Sequence, residues 1–147
     1  MHRTIACVIG QPATWAIWMV VCAGCGNGNS KFARYVPNGG TAREALVAAL
    51  TAWQNGEQPG KIDSVSPVVH AVDSHWQGGN RLQSYEVIAE QPGEGPKRFS
   101  VRLTLVGSDH PQEVTYFVLG QDPLWVFRDT DFARVSQWEH GHGDPNK

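Results

Sequence analysis

The chain has 147 residues, of which 41% are hydrophobic, and it carries 12 Lys and Arg against 14 Asp and Glu. This length and composition suit one globular domain with appendages rather than a fibrous or disordered chain. The balanced charge, without a Lys/Arg cluster, argues against nucleic acid as a partner and against electrostatic binding to a membrane. Cys7, Cys22 and Cys25 all lie near the N-terminus, so the domain that follows contains no disulfide.

The N-terminal segment has the three-part layout of a secretory signal peptide. Arg3 supplies a positive charge, an apolar run extends from Ala13 to Val21, and small residues follow it. The run is shorter than the ~20 residues that a membrane-spanning helix needs. We therefore predict that residues 1–24 are a signal peptide. The alternative is an uncleaved N-terminal helix with buried cysteines.

The predicted cleavage site carries the sharper motif. Cys22-Ala23-Gly24-Cys25 resembles the lipobox of bacterial lipoproteins, with Cys22 at a position that usually holds an aliphatic residue. The resemblance covers the first 25 residues and implies cleavage before Cys25, fatty acylation of that cysteine and attachment to a membrane of the cell envelope. The domain would then face the periplasm or the exterior, and residues 25–40 would link it to the anchor.

One helix is predicted over residues 41–55. Thr41-Ala42-Arg43-Glu44 has the pattern of a capping box, in which the Thr41 and Glu44 side chains satisfy backbone N–H groups of the first turn. Apolar residues recur at helical spacing and form one stripe: Ala42, Leu46, Ala49, Leu50 and Trp53. Gly56 is placed to end the helix in a left-handed turn.

The rest of the domain reads as strands separated by short turns. Apolar residues alternate with polar ones most clearly from Phe99 to Leu105, which predicts a half-buried strand. The other predicted strands lie within residues 67–73, 81–90, 114–119 and 124–128. One helix followed by four or five sequential strands predicts an α+β fold, with the helix packed on an antiparallel sheet.

This order of elements resembles the cystatin-like and NTF2-like domains that follow many bacterial lipoprotein signals. The resemblance concerns topology alone, and the single helix favours the simpler cystatin-like form. The domain is expected to cover residues 41–132. Residues 133–147 are polar and rich in structure breakers, and we predict a disordered tail there.

Four residues could contribute to a pocket between helix and sheet: His70, Asp73, His75 and Tyr116. An Asp/His pair could serve there as a general base and the group that orients it. Residues 70 and 73 point to opposite faces of a strand, however, so turn residues that face water are the commoner outcome.

Three residues of the tail could bind a metal ion weakly: His140, His142 and Asp144. Imidazole and carboxylate ligands suit zinc, copper or nickel, but a flexible tail loses conformational entropy when it closes around an ion. No cofactor is expected. The large aromatic residues outside the helix, Trp76, Trp125 and Trp138, could lie in the core or anchor an interface.

Two hypotheses on function follow from these features. The first is a non-catalytic, membrane-tethered module that binds an envelope protein or another envelope component through its sheet. The second is an NTF2-like pocket protein that binds or converts a small molecule. They differ in the space between the Leu46/Leu50/Trp53 stripe and the sheet, which is filled in the first and open in the second.

Overall fold

Residues 33–141 are described by the computed structural model, with side chains from residue 34 to residue 137. They form an α+β domain, as the sequence predicts. The elements in chain order are a 3-10 turn Ala33–Tyr35, α1 Gly39–Gln54, β1 Lys61–Ile62, β2 Val69–Val72, α2 Ser74–Gln77, β3 Leu82–Gln91, β4 Lys97–Leu105, β5 Gln112–Gly120, β6 Leu124–Arg128 and α3 Asp129–Gly141.

Helix α1 begins earlier than the sequence pattern predicts. Its N-cap is Asn38, whose side-chain oxygen accepts a hydrogen bond from the Thr41 N–H at 2.8 Å. The predicted capping box is therefore wrong, because Asn38 satisfies the first turn from a position before it. The predicted end is confirmed: Gly56 has a φ of 78° and its N–H donates to the Trp53 carbonyl at 3.0 Å.

The sheet has six strands in the order β1-β2-β6-β5-β4-β3. Strands β3 to β6 form an antiparallel meander, and β1 and β2 form an antiparallel pair. Strand β2 lies parallel to β6, with Val69 opposite Leu124 and Val72 opposite Phe127. The predicted purely antiparallel sheet of four or five strands is thus wrong in strand number and direction. A two-residue strand shows no alternation, and alternation does not reveal which strands are neighbours.

Helix α1 and the inner face of the sheet form the core. Leu46 and Leu50 on the helix are at most 2% exposed, and so are Phe99, Val101 and Val118 on the sheet. The space between the apolar stripe and β4 is filled by these side chains. Since close-packed interiors leave few voids, this region offers no open cavity.

Helix α3 packs on the outer face of the sheet. Phe132 stacks on Phe117 with ring centroids 4.4 Å apart and meets Phe127 edge-on at 5.9 Å. The helix continues to Gly141, so the domain extends beyond the predicted boundary at residue 132. The sequence prediction of a loose tail overlooked this helix, since a mostly polar helix with one anchoring aromatic shows little periodicity. Residues 142–147 lie outside the described part.

The predicted signal peptide and Cys25 also lie outside the described residues. Between residues 33 and 141, no helix is long and apolar enough to cross a membrane.

Candidate functional site

A buried polar cluster lies where two parallel strands end. Asp73 follows β2, and Arg128 is the last residue of the neighbouring strand β6. Tyr116 on β5 is the register partner of Arg128, so its side chain reaches the same end of the inner face. Asp73 is 3% exposed, Tyr116 2% and Arg128 5%, although a carboxylate and a guanidinium are rarely buried unless they are paired.

Asp73 is the centre of this cluster. Its Oδ1 accepts hydrogen bonds from the backbone N–H groups of His75 at 2.8 Å and Trp76 at 3.1 Å, and so caps α2. Its Oδ2 accepts a hydrogen bond from the Tyr116 hydroxyl at 2.6 Å and lies 3.5 Å from a guanidinium nitrogen of Arg128. The carboxylate therefore joins α2 to β5 and β6 beneath the helix layer.

A second buried carboxylate extends the cluster towards α3. Asp131 is 4% exposed, and its Oδ2 accepts a hydrogen bond from the Ser74 N–H at 2.8 Å. Its other oxygen lies 3.3 Å from the guanidinium of Arg134, whose side chain is largely exposed. The first turns of α2 and α3 are thereby held together by a charge-assisted hydrogen bond.

The environment of Tyr116 keeps its phenol neutral. Burial raises the pKa of Tyr116 well above its ordinary value of 10.0, and the adjacent Asp73 carboxylate raises it further. The Arg128 guanidinium acts in the opposite direction but does not outweigh these two causes. Tyr116 is thus a hydrogen-bond donor to Asp73 at neutral pH and is poorly suited to give up its proton.

The cluster borders a very small cavity under α1. Its volume is about 10 Å³, and its lining includes Leu50, Trp53, Asp73, Trp76 and Tyr116. Such a volume holds at most one water molecule. The Trp53 and Trp76 rings stack with centroids 5.8 Å apart and separate this cavity from a surface groove of about 290 Å³.

The buried polar groups also satisfy one another. Within the described residues, no buried side-chain nitrogen or oxygen lacks a hydrogen-bond partner. A site that awaits a polar ligand usually presents unpaired groups towards the ligand. The arrangement is therefore that of a structural network which joins three strands and two helices.

The four residues predicted for a pocket are only partly brought together. Asp73 and Tyr116 are in direct contact, and His75 contributes its backbone N–H. His70 lies on the outer face of the sheet, where its ring stacks on Trp125 with centroids 4.6 Å apart. The alternation of side chains along β2 thus separates His70 from Asp73, as the sequence pattern predicts.

Two members of the cluster were missed by the sequence reading. Arg128 and Asp131 lie close together in sequence, next to Asp129, at a strand-to-helix junction. Their partners Asp73 and Ser74 are more than fifty residues away. The signal that the sequence offered was Arg128 itself, at an inward-facing position of the predicted strand 124–128. A buried arginine needs a buried carboxylate to balance its charge.

The metal prediction concerns side chains that are not described. His140, His142 and Asp144 lie beyond the last described side chain. Among the residues whose side chains are described, no group of three His, Cys, Asp or Glu could hold a metal ion.

The chain was also compared with known proteins. No family model matches it, and neither the curated proteins nor the solved structures yielded a match.

Proposed function

We propose that this chain is a lipid-anchored lipoprotein of the cell envelope whose domain is a non-catalytic binding module. The proposal that the domain is a non-catalytic binding module is supported by its closed interior. The void beside Asp73 and Tyr116 measures about 10 Å³, whereas ligand pockets usually measure about 300–1,000 Å³. A depression of about 520 Å³ beside Val47, Thr51 and Val65 lies on the open surface of the domain, outside this interior. Binding then takes place on the surface of the domain.

The proposed lipid anchor is supported by the sequence around Cys25. A short apolar segment followed by Ala23-Gly24-Cys25 is similar to a lipoprotein signal, and two or more acyl chains make a stable membrane anchor. The Gly-Asn-Gly-Asn-Ser stretch after Cys25 is the flexible type of linker that a tethered domain requires.

For the fold, we propose the NTF2-like form rather than the cystatin-like one. The parallel pairing of β2 with β6 and the helix α2 between β2 and β3 depart from one helix on an antiparallel meander. That simpler arrangement was the basis of the cystatin-like resemblance. Topology supports this assignment, and no sequence motif adds to it.

Metabolic labelling tests the anchor. Bacteria that express the chain are fed a fatty acid with an alkyne tag, and the purified protein is probed for the tag. We expect labelling of the wild type and of Cys22→Ala, the matched control, and no labelling of Cys25→Ala. A Cys25→Ala protein that still takes up the label contradicts the anchor.

Ligand-induced stabilisation tests whether the interior between α1 and the sheet is closed to ligands. A ligand that binds only the folded state raises Tm, and the stabilisation grows with the logarithm of the ratio of ligand concentration to Kd. We expect that no compound of a small-molecule library raises the Tm of the wild type. A compound that raises it for the wild type but not for Asp73→Asn would favour the alternative, an NTF2-like pocket protein.

A further inference from the structure

The described residues cover only half of the outer face of the sheet. Helix α3 shields Phe117 and Phe127 through Phe132, while Trp125, the next outward residue on β6, is 37% exposed. Leu119 is the register partner of Trp125 on β5, and His70 is its partner on β2. These residues form a partly exposed apolar surface at the end of the sheet where β5 ends and β6 begins.

The N-terminal part of the domain joins this same end. The carbonyl of Arg34 accepts a hydrogen bond from the Gln121 side chain at 2.9 Å, directly after β5. Tyr35 is 49% exposed, and the Arg34 guanidinium lies 5.2 Å from its ring centroid. We call Arg34, Tyr35, His70, Leu119 and Trp125 together the tether-end face.

The length of chain before this face limits how far it can lie from an anchor at Cys25. Ala33 lies eight positions after Cys25, and even a fully extended chain spans no more than about 29 Å over that distance. A domain of this size has a radius of gyration of about 13 Å, so the linker is no longer than the domain is wide. An anchored domain therefore keeps the tether-end face at a high effective concentration near the lipid surface.

The chemistry of the face suits the interfacial region of a bilayer. Tryptophan and tyrosine are enriched there because each has an apolar ring and a polar group that can stay hydrated. The face and its surroundings carry charges of both signs: Asp122 follows Gln121, whose side chain binds the Arg34 carbonyl, and Lys61 forms an ion pair with Asp63 at 3.1 Å. Attraction then depends on the aromatic side chains rather than on anionic lipid.

We propose that the tether-end face rests in the interfacial region of the membrane, with Trp125 and Tyr35 as its contacts. This inference depends on the proposed lipid anchor. The opposite end of the sheet, with the β4–β5 turn and the exposed Val106, then faces away from the membrane and is free for a partner. The bilayer is thus one of the ligands of the domain, and lipid contact fixes its orientation.

Tryptophan quenching by brominated lipid tests the contact. The acylated protein is reconstituted into phosphatidylcholine vesicles, with or without bromine on the acyl chains, and vesicle flotation confirms attachment. We expect brominated lipid to lower the emission of the wild type, and Trp125→Phe to lose most of this quenching. The matched control Val106→Ser should keep it, since Val106 is 60% exposed at the far end of the sheet.

A second variant measures the energetic contribution of the face. Tyr35→Ser removes a half-exposed ring. The ratio of domains whose face contacts lipid to domains whose face does not should fall about ten-fold. This is the change expected when half of an aromatic side chain no longer transfers from water to lipid. Because charge is not the driving force, anionic lipid or added salt should change the quenching little. Quenching that occurs only with anionic lipid would overturn the proposed mode of contact.

The outcomes separate this inference from the anchor on which it depends. A protein that floats with the vesicles but is not quenched has the anchor and lacks the contact, which refutes the inference alone. If cells do not acylate the chain, the full chain with Cys7→Ser and Cys22→Ser is coupled through Cys25 to a maleimide-bearing lipid. The same loss of quenching on Trp125→Phe is then expected, and its absence refutes the contact.

A photo-cross-linker distinguishes lipid from protein as the ligand of this face. A benzophenone amino acid replaces Trp125 or, as the control, Val106, and intact cells are irradiated. We expect phospholipid adducts from position 125 and none from position 106. A discrete protein adduct from position 125 without a lipid adduct would assign the face to a protein partner instead, and would overturn the inference.

Discussion

The Tyr116→Phe variant probes the buried cluster with the smallest possible change. The substitution removes one oxygen atom and leaves the ring in place, so it creates almost no cavity. The hydroxyl that is lost donates to Oδ2 of Asp73 at 2.6 Å, in a position where the whole residue is 2% exposed. Asp73 then keeps the Arg128 guanidinium and the two N–H groups of α2 as partners.

The size of the effect follows from the nature of the acceptor. A hydrogen bond to a charged group contributes about 1.5–3 kcal/mol, so we expect Tyr116→Phe to lower the free energy of unfolding by about 2 kcal/mol at neutral pH. This is a large share of the ~5–15 kcal/mol that stabilises a typical domain. With a typical slope of unfolding free energy against urea concentration, the urea midpoint of unfolding should fall by about 1 M.

The difference between wild type and variant should shrink at alkaline pH. The pKa of Tyr116 is raised in the folded state, so both states hold the proton below the ordinary value of 10.0. Above that value, the unfolded wild type releases the proton while the folded protein retains it, and unfolding becomes easier as pH rises. The wild type thus loses about 1.4 kcal/mol per pH unit there relative to Tyr116→Phe.

Urea unfolding followed by circular dichroism at a series of pH values between about 8 and 11 measures both effects. Tyr85→Phe serves as the control for loss of a phenol hydroxyl, because Tyr85 bonds to the Thr51 hydroxyl at 2.8 Å in a half-buried place. We expect that control to cost about 1 kcal/mol. A Tyr116→Phe protein as stable as the wild type at neutral pH, or a difference that does not change up to pH 11, refutes the described environment of Tyr116.

Three further predictions concern the packing of α3, the turns of the meander and the junction between α2 and α3. Phe132→Ala should cost about 2 kcal/mol and expose the aromatic rings beneath α3, which increased binding of a hydrophobic dye would report. Gly120→Ala should destabilise the fold by more than about 2 kcal/mol in thermal unfolding, because φ is 89° and a Cβ would lie 2.5 Å from a backbone oxygen. Gly107→Ala, with a φ of 82° but open space, should cost only about 1–2 kcal/mol. Asp131→Ala should release the Ser74 N–H and speed hydrogen exchange in α2 and α3, and unchanged exchange would contradict the link between these helices.

The elements that the sequence predicts well are those stabilised by local patterns. The stripe of Leu46, Leu50 and Trp53 is directly visible at helical spacing, and the alternation from Phe99 to Leu105 at strand spacing. The apolar residues of both patterns are buried as expected. The spacing of apolar residues over a few positions shows which face of a helix or strand is buried. The sequence alone therefore predicts these elements.

The features that were missed depend on distant partners. The segment around Trp76 reads as a turn, and it forms α2 because Asp73 caps it and because the Trp76 ring stacks on Trp53. The capping carboxylate is itself held by Tyr116 and Arg128, 43 and 55 residues further on. No local pattern shows that these groups meet, and the same holds for the parallel strand pair.

The pairing of β2 with β6 sets the order in which the domain can be completed. Strand β2 has only the two-residue strand β1 on one side, and its other edge stays open until β6 is present. The meander from β3 to β6 needs only sequential contacts, while closure of the sheet joins Val69 to Leu124 across more than a third of the chain. If the chain is exported from its N-terminus, α1, β1 and β2 cross the membrane first and stay unfinished until almost the whole domain has followed. In that case the β2–β6 pair would form, and the sheet would close, only after β6 had crossed.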